Sequence, residues 1–86
     1  MDITLNVSDQ VREFLLEEVL FEEENVSLDD GTRLLEGVLD SLALMQLVAF
    51  LEDEFEVEIE DADITKDNFS TIADIRSLVL ERLGQR

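Results

Sequence analysis

In the segment Gly37-Val38-Leu39-Asp40-Ser41-Leu42 a serine directly follows an aspartate, between an acidic loop that contains glycine and a long amphipathic stretch. A serine hydroxyl attacks acyl groups only when a neighbouring base takes its proton, and this chain contains no histidine to fill that role. Asp40 or Lys66 would serve as the base only in an unusual arrangement. The chain has no cysteine either, so it brings no thiol of its own to nucleophilic or redox chemistry. The plainest reading of Asp40 and Ser41 is a helix cap and the first helical residue. The sharper reading is that Ser41 is an exposed handle modified by another enzyme.

Two other groups of side chains suggest chemistry by their spacing. Asp61, Asp63 and Thr65 match the first ligand spacings of a calcium loop, but Lys66 stands where the turn needs glycine and Ile72 where a bidentate glutamate belongs. No dedicated metal site is expected. The acidic residues from Glu52 to Asp63 read as a solvated face and also as a docking surface for basic partner faces. Catalysis by paired carboxylates would require a substrate cleft, for which so small a domain has little room.

The 86 residues suffice for one small domain, and 45% hydrophobic content against 34% charged suits a single modest core. Six basic residues against 23 acidic ones give a net charge of −17. That charge repels nucleic acid and anionic membrane surfaces and attracts basic protein faces. The N-terminal residues lack a signal-peptide pattern, and no apolar run approaches membrane-spanning length. A soluble cytoplasmic protein with no membrane insertion is expected.

Several elements must position Ser41. Val7, Val11, Phe14, Leu15 and Val19, widened by Leu16 and Leu20, predict an amphipathic helix over about Ser8 to Phe21, with Ser8 and Asp9 capping its start. Residues 25–32 read as a loop, after which Leu34 and Leu35 return to the core. Leu44, Leu47, Val48, Leu51 and Phe55 predict a second helix that opens at Ser41, with Asp40 as its cap. Alternation from Phe55 to Glu60 suggests a strand, yet no second strand of similar quality is available to pair with it. An extended exit anchored by Val57 and Ile59 is therefore expected.

Asp61 to Lys66 predict a short helical turn, with Ile64 and Phe69 facing inward. Thr71-Ile72-Ala73-Asp74 resembles a capping box that opens a last helix, whose Ile72, Ile75, Leu78, Val79 and Leu83 face inward before Gly84 stops it. The fold class predicted is all-α: a small four-helix bundle of three main helices and one short one, spanning residues 1–86 as one domain.

The combination of Leu34-Leu35-Glu36-Gly37-Val38-Leu39-Asp40-Ser41-Leu42, Leu47-Val48-Ala49-Phe50-Leu51-Glu52-Asp53-Glu54-Phe55, Ile59 and Phe69-Ser70-Thr71-Ile72 resembles the acyl carrier proteins and the related peptidyl and aminoacyl carriers. This resemblance spans nearly the whole chain. It implies that Ser41 bears a 4′-phosphopantetheine arm, transferred from coenzyme A by a phosphopantetheinyl transferase, whose thiol holds a substrate as a thioester. It also implies no catalysis by the chain itself, which explains how a cysteine-free protein takes part in thiol chemistry. Asp40 then caps beside the attachment point, and Leu42, Met45, Ala49, Glu52 and Asp53 are the expected docking contacts.

The implied partners are an acyl- or aminoacyl-activating ligase and downstream transferase or synthase enzymes with basic docking faces, met by a monomeric carrier. Carriers of bulk fatty acid synthesis typically have Asp-Ser-Leu-Asp followed three residues later by glutamate, where this chain has Ala43 and Gln46. These departures favour a specialised acyl, polyketide or aminoacyl pathway. The alternative is an acidic helical interaction module without a prosthetic group.

Overall fold

A computed structural model describes residues 3–20 and 28–84 of the chain. Four α-helices are present, α1 (Ile3–Phe14), α2 (Ser41–Phe55), α3 (Lys66–Phe69) and α4 (Ile72–Gly84), and no β-strand occurs among the described residues. The all-α bundle expected from the sequence is the fold observed. Its core joins Val7, Val11 and Leu15 of the first helical segment to Leu47 and Leu51 of α2, Phe69 of α3, and Ile72, Ile75 and Val79 of α4. All of these are withdrawn from water, so one stripe from each helix builds a common apolar interior.

The first helix begins earlier than its sequence suggests. Ser8 lies within α1, is buried, and accepts a hydrogen bond from Arg76 Nη1 at 3.1 Å across 68 residues of chain. It is therefore a tertiary contact and not a cap; the local preference of serine for helix starts yields to a partner that only the fold supplies. Asp9 is likewise inside the helix, where it pairs with Arg12 at 3.0 Å. The helix then widens into a π-turn over Leu15–Val19, closed by Leu20 N–H donating to the Leu15 carbonyl at 2.8 Å. Phe21, the expected helix end, and residues 25–27 of the expected loop lie outside the described residues.

The loop ahead of α2 is held on both sides. Arg12 donates through Nε to the Leu28 carbonyl at 2.9 Å and through Nη2 to Asp30 at 2.7 Å, and Arg76 reaches the other oxygen of Asp30 at 3.2 Å. Asp30 is thus shared by a cation from α1 and one from α4. Its backbone carbonyl also accepts from Ala73 N–H at 3.1 Å, and Leu34 N–H donates to the Ser70 carbonyl at 2.8 Å. Leu34 is buried and Leu35 half-buried, as their place after the loop predicts.

A 3₁₀ turn over Leu34–Glu36 ends at Gly37, whose φ of 132° lies where side chains are rarely accommodated. A Cβ there would meet no atom within 4 Å, so the penalty for adding one comes from the backbone alone. Gly37→Ala is expected to cost about 1–3 kcal/mol of stability, read as a lowered urea midpoint. An unchanged midpoint would show that the turn relaxes freely.

After α2 the chain leaves through Glu56 in the left-handed region (φ 52°), then runs extended with Val57 and Ile59 buried and Glu58 and Glu60 exposed. The alternation read from the sequence is real, and it serves an anchored exit segment. Ile59 N–H donates to Glu52 Oε2 at 3.0 Å, so a side chain of α2 supplies the acceptor that a neighbouring strand would otherwise provide.

The expected turn after this exit is a 3₁₀ turn over Asp61–Asp63, and α3 follows it as a separate helix that includes Asp67-Asn68-Phe69. Thr65 makes the difference by accepting from Asn68 N–H at 3.2 Å as the α3 cap. Thr71 and Asp74 form a reciprocal pair at the start of α4: Asp74 N–H donates to Thr71 Oγ1 at 3.1 Å and the hydroxyl donates to Asp74 Oδ2 at 2.9 Å. In α4, Ile72, Ile75, Leu78 and Val79 face inward with Leu83 half-buried, as its periodicity predicts.

Candidate functional site

Ser41 opens α2, and the residues around it explain both its position and its exposure. Asp40 is extended (φ −92°, ψ −176°) and its Oδ1 accepts from Ala43 N–H at 2.8 Å, satisfying an orphan donor of the first turn. The Asp40 carbonyl already accepts from Leu44 N–H at 2.9 Å. The carboxylate is thereby engaged as a cap, which leaves it poorly placed to take a proton from Ser41. Ser41 is exposed, and its hydroxyl makes no hydrogen bond to any described residue. It is an accessible hydroxyl beside a helix N-terminus, where backbone N–H groups favour a negatively charged substituent such as a phosphodiester.

The face of α2 around it is apolar and open to water. Leu42 is 69% exposed and Met45 52%, the two large hydrophobic side chains that remain most open among the described residues. Ala49 is exposed on the same face, one turn beyond Met45. The inward side of α2, Ala43, Leu47, Val48, Leu51 and Phe55, is buried, so one helix anchors the fold with one face and offers a surface with the other. Asp53 is exposed, whereas Glu52 is half-buried and holds Ile59 N–H. Beside the helix start, Val19, Leu20, Val38, Leu42 and Ala43 line a shallow groove of about 310 Å³. Residues before 21 were not expected to approach this end of α2, since nothing in their sequence spacing indicates it.

Asp63 does not do the chemistry suggested by its spacing with Asp61 and Thr65. It is buried, pairs with Arg82 of α4, and accepts from Glu60 N–H at 3.0 Å. The backbone hydrogen bond from Glu60 is the main influence holding its carboxyl below the ordinary value of 3.8; burial opposes this, and the hydrogen bond and charge of Arg82 reinforce it. The same pairing raises the Arg82 guanidinium above its ordinary value. Among the described residues no three acidic side chains converge to hold a metal ion.

A four-helix bundle, a capped serine and an apolar strip coincide with a known family. The family described as "Phosphopantetheine attachment site" matches residues 9–79. An "Acyl carrier protein" of Campylobacter curvus is 35% identical over 80 residues, covering 92% of this chain and 97% of that one. An "Acyl carrier protein" of Thermotoga maritima is 47% identical over 45 residues, covering 52% of this chain and 53% of its own length. One chain in the solved structure described as "Crystal structure of FAD-dependent dehydrogenase" has a TM-score of 0.73 and 31% identity, covering 80% of this chain and 97% of that one.

The chain belongs to the acyl carrier protein family of phosphopantetheine-bearing carriers. It is a carrier and not a catalyst, and its prosthetic group is a covalently attached 4′-phosphopantetheine. Phosphopantetheinyl transferase and synthase or transferase enzymes are the partners of such carriers. The alternative of an acidic interaction module lacking a prosthetic group gives way to this assignment. No helix among the described residues is long and apolar enough to cross a membrane.

Proposed function

We propose that the chain is a free-standing cytoplasmic carrier of a specialised acyl or aminoacyl pathway, a single domain and a monomer, with Ser41 as the attachment point. The observation that supports Ser41 is its exposed, unbonded hydroxyl at the capped start of α2. When attached there, the arm supplies a thiol on which cargo is held as a thioester. The chain's own residues do the positioning: Asp40 fixes the helix start, Gly37 makes the preceding turn, and α2 presents the docking surface.

Leu42, Met45 and Ala49 form the apolar part of that surface, with Asp53 and the remaining oxygen of Glu52 as its acidic edge. Partners of this reading pair an apolar contact with basic residues: an acyl- or aminoacyl-activating ligase, then the enzymes that process the cargo. The likeness to a chain found in an FAD-dependent dehydrogenase structure supports a flavin enzyme among the latter. Ala43 and Gln46, in place of two carboxylates, favour dedicated partners over those of bulk fatty acid synthesis.

Incubation with coenzyme A and a broad-specificity phosphopantetheinyl transferase is expected to add about 340 Da, one arm joined through one phosphate ester, and Ser41→Ala is expected to abolish the gain. Intact-protein mass spectrometry reads both results. No gain, or a gain retained in Ser41→Ala, would overturn the assignment.

A further inference from the structure

In a chain with net charge −17, the placement of its few cations is informative. Arg12, Arg76 and Arg82 are drawn into the fold by ion pairs to Asp30 and Asp63, with side chains only 29%, 25% and 22% exposed. Arg33 and Lys66 differ. Arg33 is 77% exposed and meets only Glu36, at 3.3 Å on the open surface, a pair of the kind that contributes little. Lys66 is exposed and makes no ion pair with any described residue.

Both line one cleft of about 490 Å³, between the turn ahead of α2 and the α3–α4 corner, where Leu35 supplies apolar wall and Ser70 and Thr71 complete the rim. Gly31 also lines it. Glu36 also borders the cleft and is five residues from Ser41, so their Cα atoms lie within about 18 Å, inside the range of an extended pantetheine arm.

We infer that this cleft receives the free carboxylate of an acyl cargo that ends in a second acid group, with Arg33 and Lys66 as its counter-charges. This rests on the carrier reading and on Ser41 as attachment point, and it names the cargo class. The charge balance of the molecule supports it. A carboxylate tethered to this chain is repelled by the net field at most of the surface, whereas this cleft sets Lys66, which makes no ion pair with any described residue, beside Arg33, whose pair with Glu36 on the open surface is weak. The apolar wall suits the methylenes between thioester and acid, and the volume lies in the range of small-molecule sites. A partner's acidic side chain would fill far less of it.

The test uses a broad-specificity phosphopantetheinyl transferase to load the full chain with glutaryl-4′-phosphopantetheine from glutaryl coenzyme A, with adenosine 3′,5′-bisphosphate leaving, and titrates the ¹³C-labelled terminal carboxylate by NMR. Its pKa is expected to fall by about 0.5 or more relative to free glutaryl-pantetheine, because neighbouring cations favour the charged form. In Arg33→Gln/Lys66→Gln, which removes two exposed side chains and should leave the fold intact, the pKa is expected to rise above the free value under the acidic field.

The difference is also expected to shrink near 1 M salt, where the Debye length is about 3 Å. A second measurement compares amide shifts at Leu35, Ser70 and Thr71 between glutaryl and the neutral pentanoyl cargo, and only glutaryl is expected to move them. Failure to load overturns the carrier reading together with this inference. Loading with a raised pKa, or with identical amide shifts for both cargoes, overturns the cleft alone. The cleft is overturned as well if the double variant weakens partner turnover of pentanoyl cargo as much as glutaryl, since the cations would then serve a partner's acid.

Discussion

Phe69→Ala is expected to remove about 3–5 kcal/mol of stability, the cost of a large cavity in a closed interior. For a domain of this size the whole stability is about 4–13 kcal/mol at the usual per-residue range. Phe69 is fully buried, and it belongs to α3, a helix of four residues. So short a helix has no stability of its own, since nucleating one turn is unfavourable and is offset here only by packing. The Thr65 cap and the Phe69 ring hold it against α4.

The damage should travel beyond α3. The Ser70 carbonyl at its end accepts from Leu34 N–H, so loosening α3 loosens the turn that leads to Ser41. With an m-value of about 1–3 kcal/mol/M, the urea midpoint is expected to fall by about 1 M or more. Phe69→Leu, which keeps most of the volume, is expected to cost under about 1.5 kcal/mol. Equal losses for both substitutions would show that the cavity is not the cause.

The second large effect is pH-dependent. The carboxyl of Asp63 is held below its ordinary 3.8, chiefly by the Glu60 N–H, so the folded state binds its proton less readily than the unfolded chain. Its contribution is therefore complete above the unfolded value and is lost as pH falls through the lower folded one. Asp63→Asn is expected to be less stable than the natural chain near neutrality, because Arg82 loses its counter-charge at a largely buried position. The two stability curves are expected to converge as the pH drops from about 5 to about 2. Urea midpoints across that range read this directly, and parallel curves would sink the account. Added salt is expected to raise both at neutral pH by screening the self-repulsion of 23 acidic residues against six basic ones.

Periodicity alone was enough for α2 and α4, because their apolar stripes are long and regular and their starts carry the capping residues Asp40 and Thr71. The helix start at Ser41 and the inward faces of both helices are legible in the sequence, since short-range hydrogen bonding and one-sided burial dictate them. The extended run after Phe55 was legible as extended. What satisfies it was not, because the acceptor for Ile59 N–H is a side chain one helix away.

The misplaced start of α1 has the same origin. Ser8 looks like a cap by its type, and only the arrival of Arg76 from the far end of the chain makes it an interior residue. The sequence by itself determined the all-α class, the capped serine and the acidic character, all of which depend on neighbours within a few residues or on simple counts. The tertiary structure decided which of the 23 carboxylates become structural, which cations are drawn inside, and that Arg33 and Lys66 share one cleft. Those outcomes depend on groups brought together across tens of residues, where a charge has no preferred partner until the core has fixed the distances.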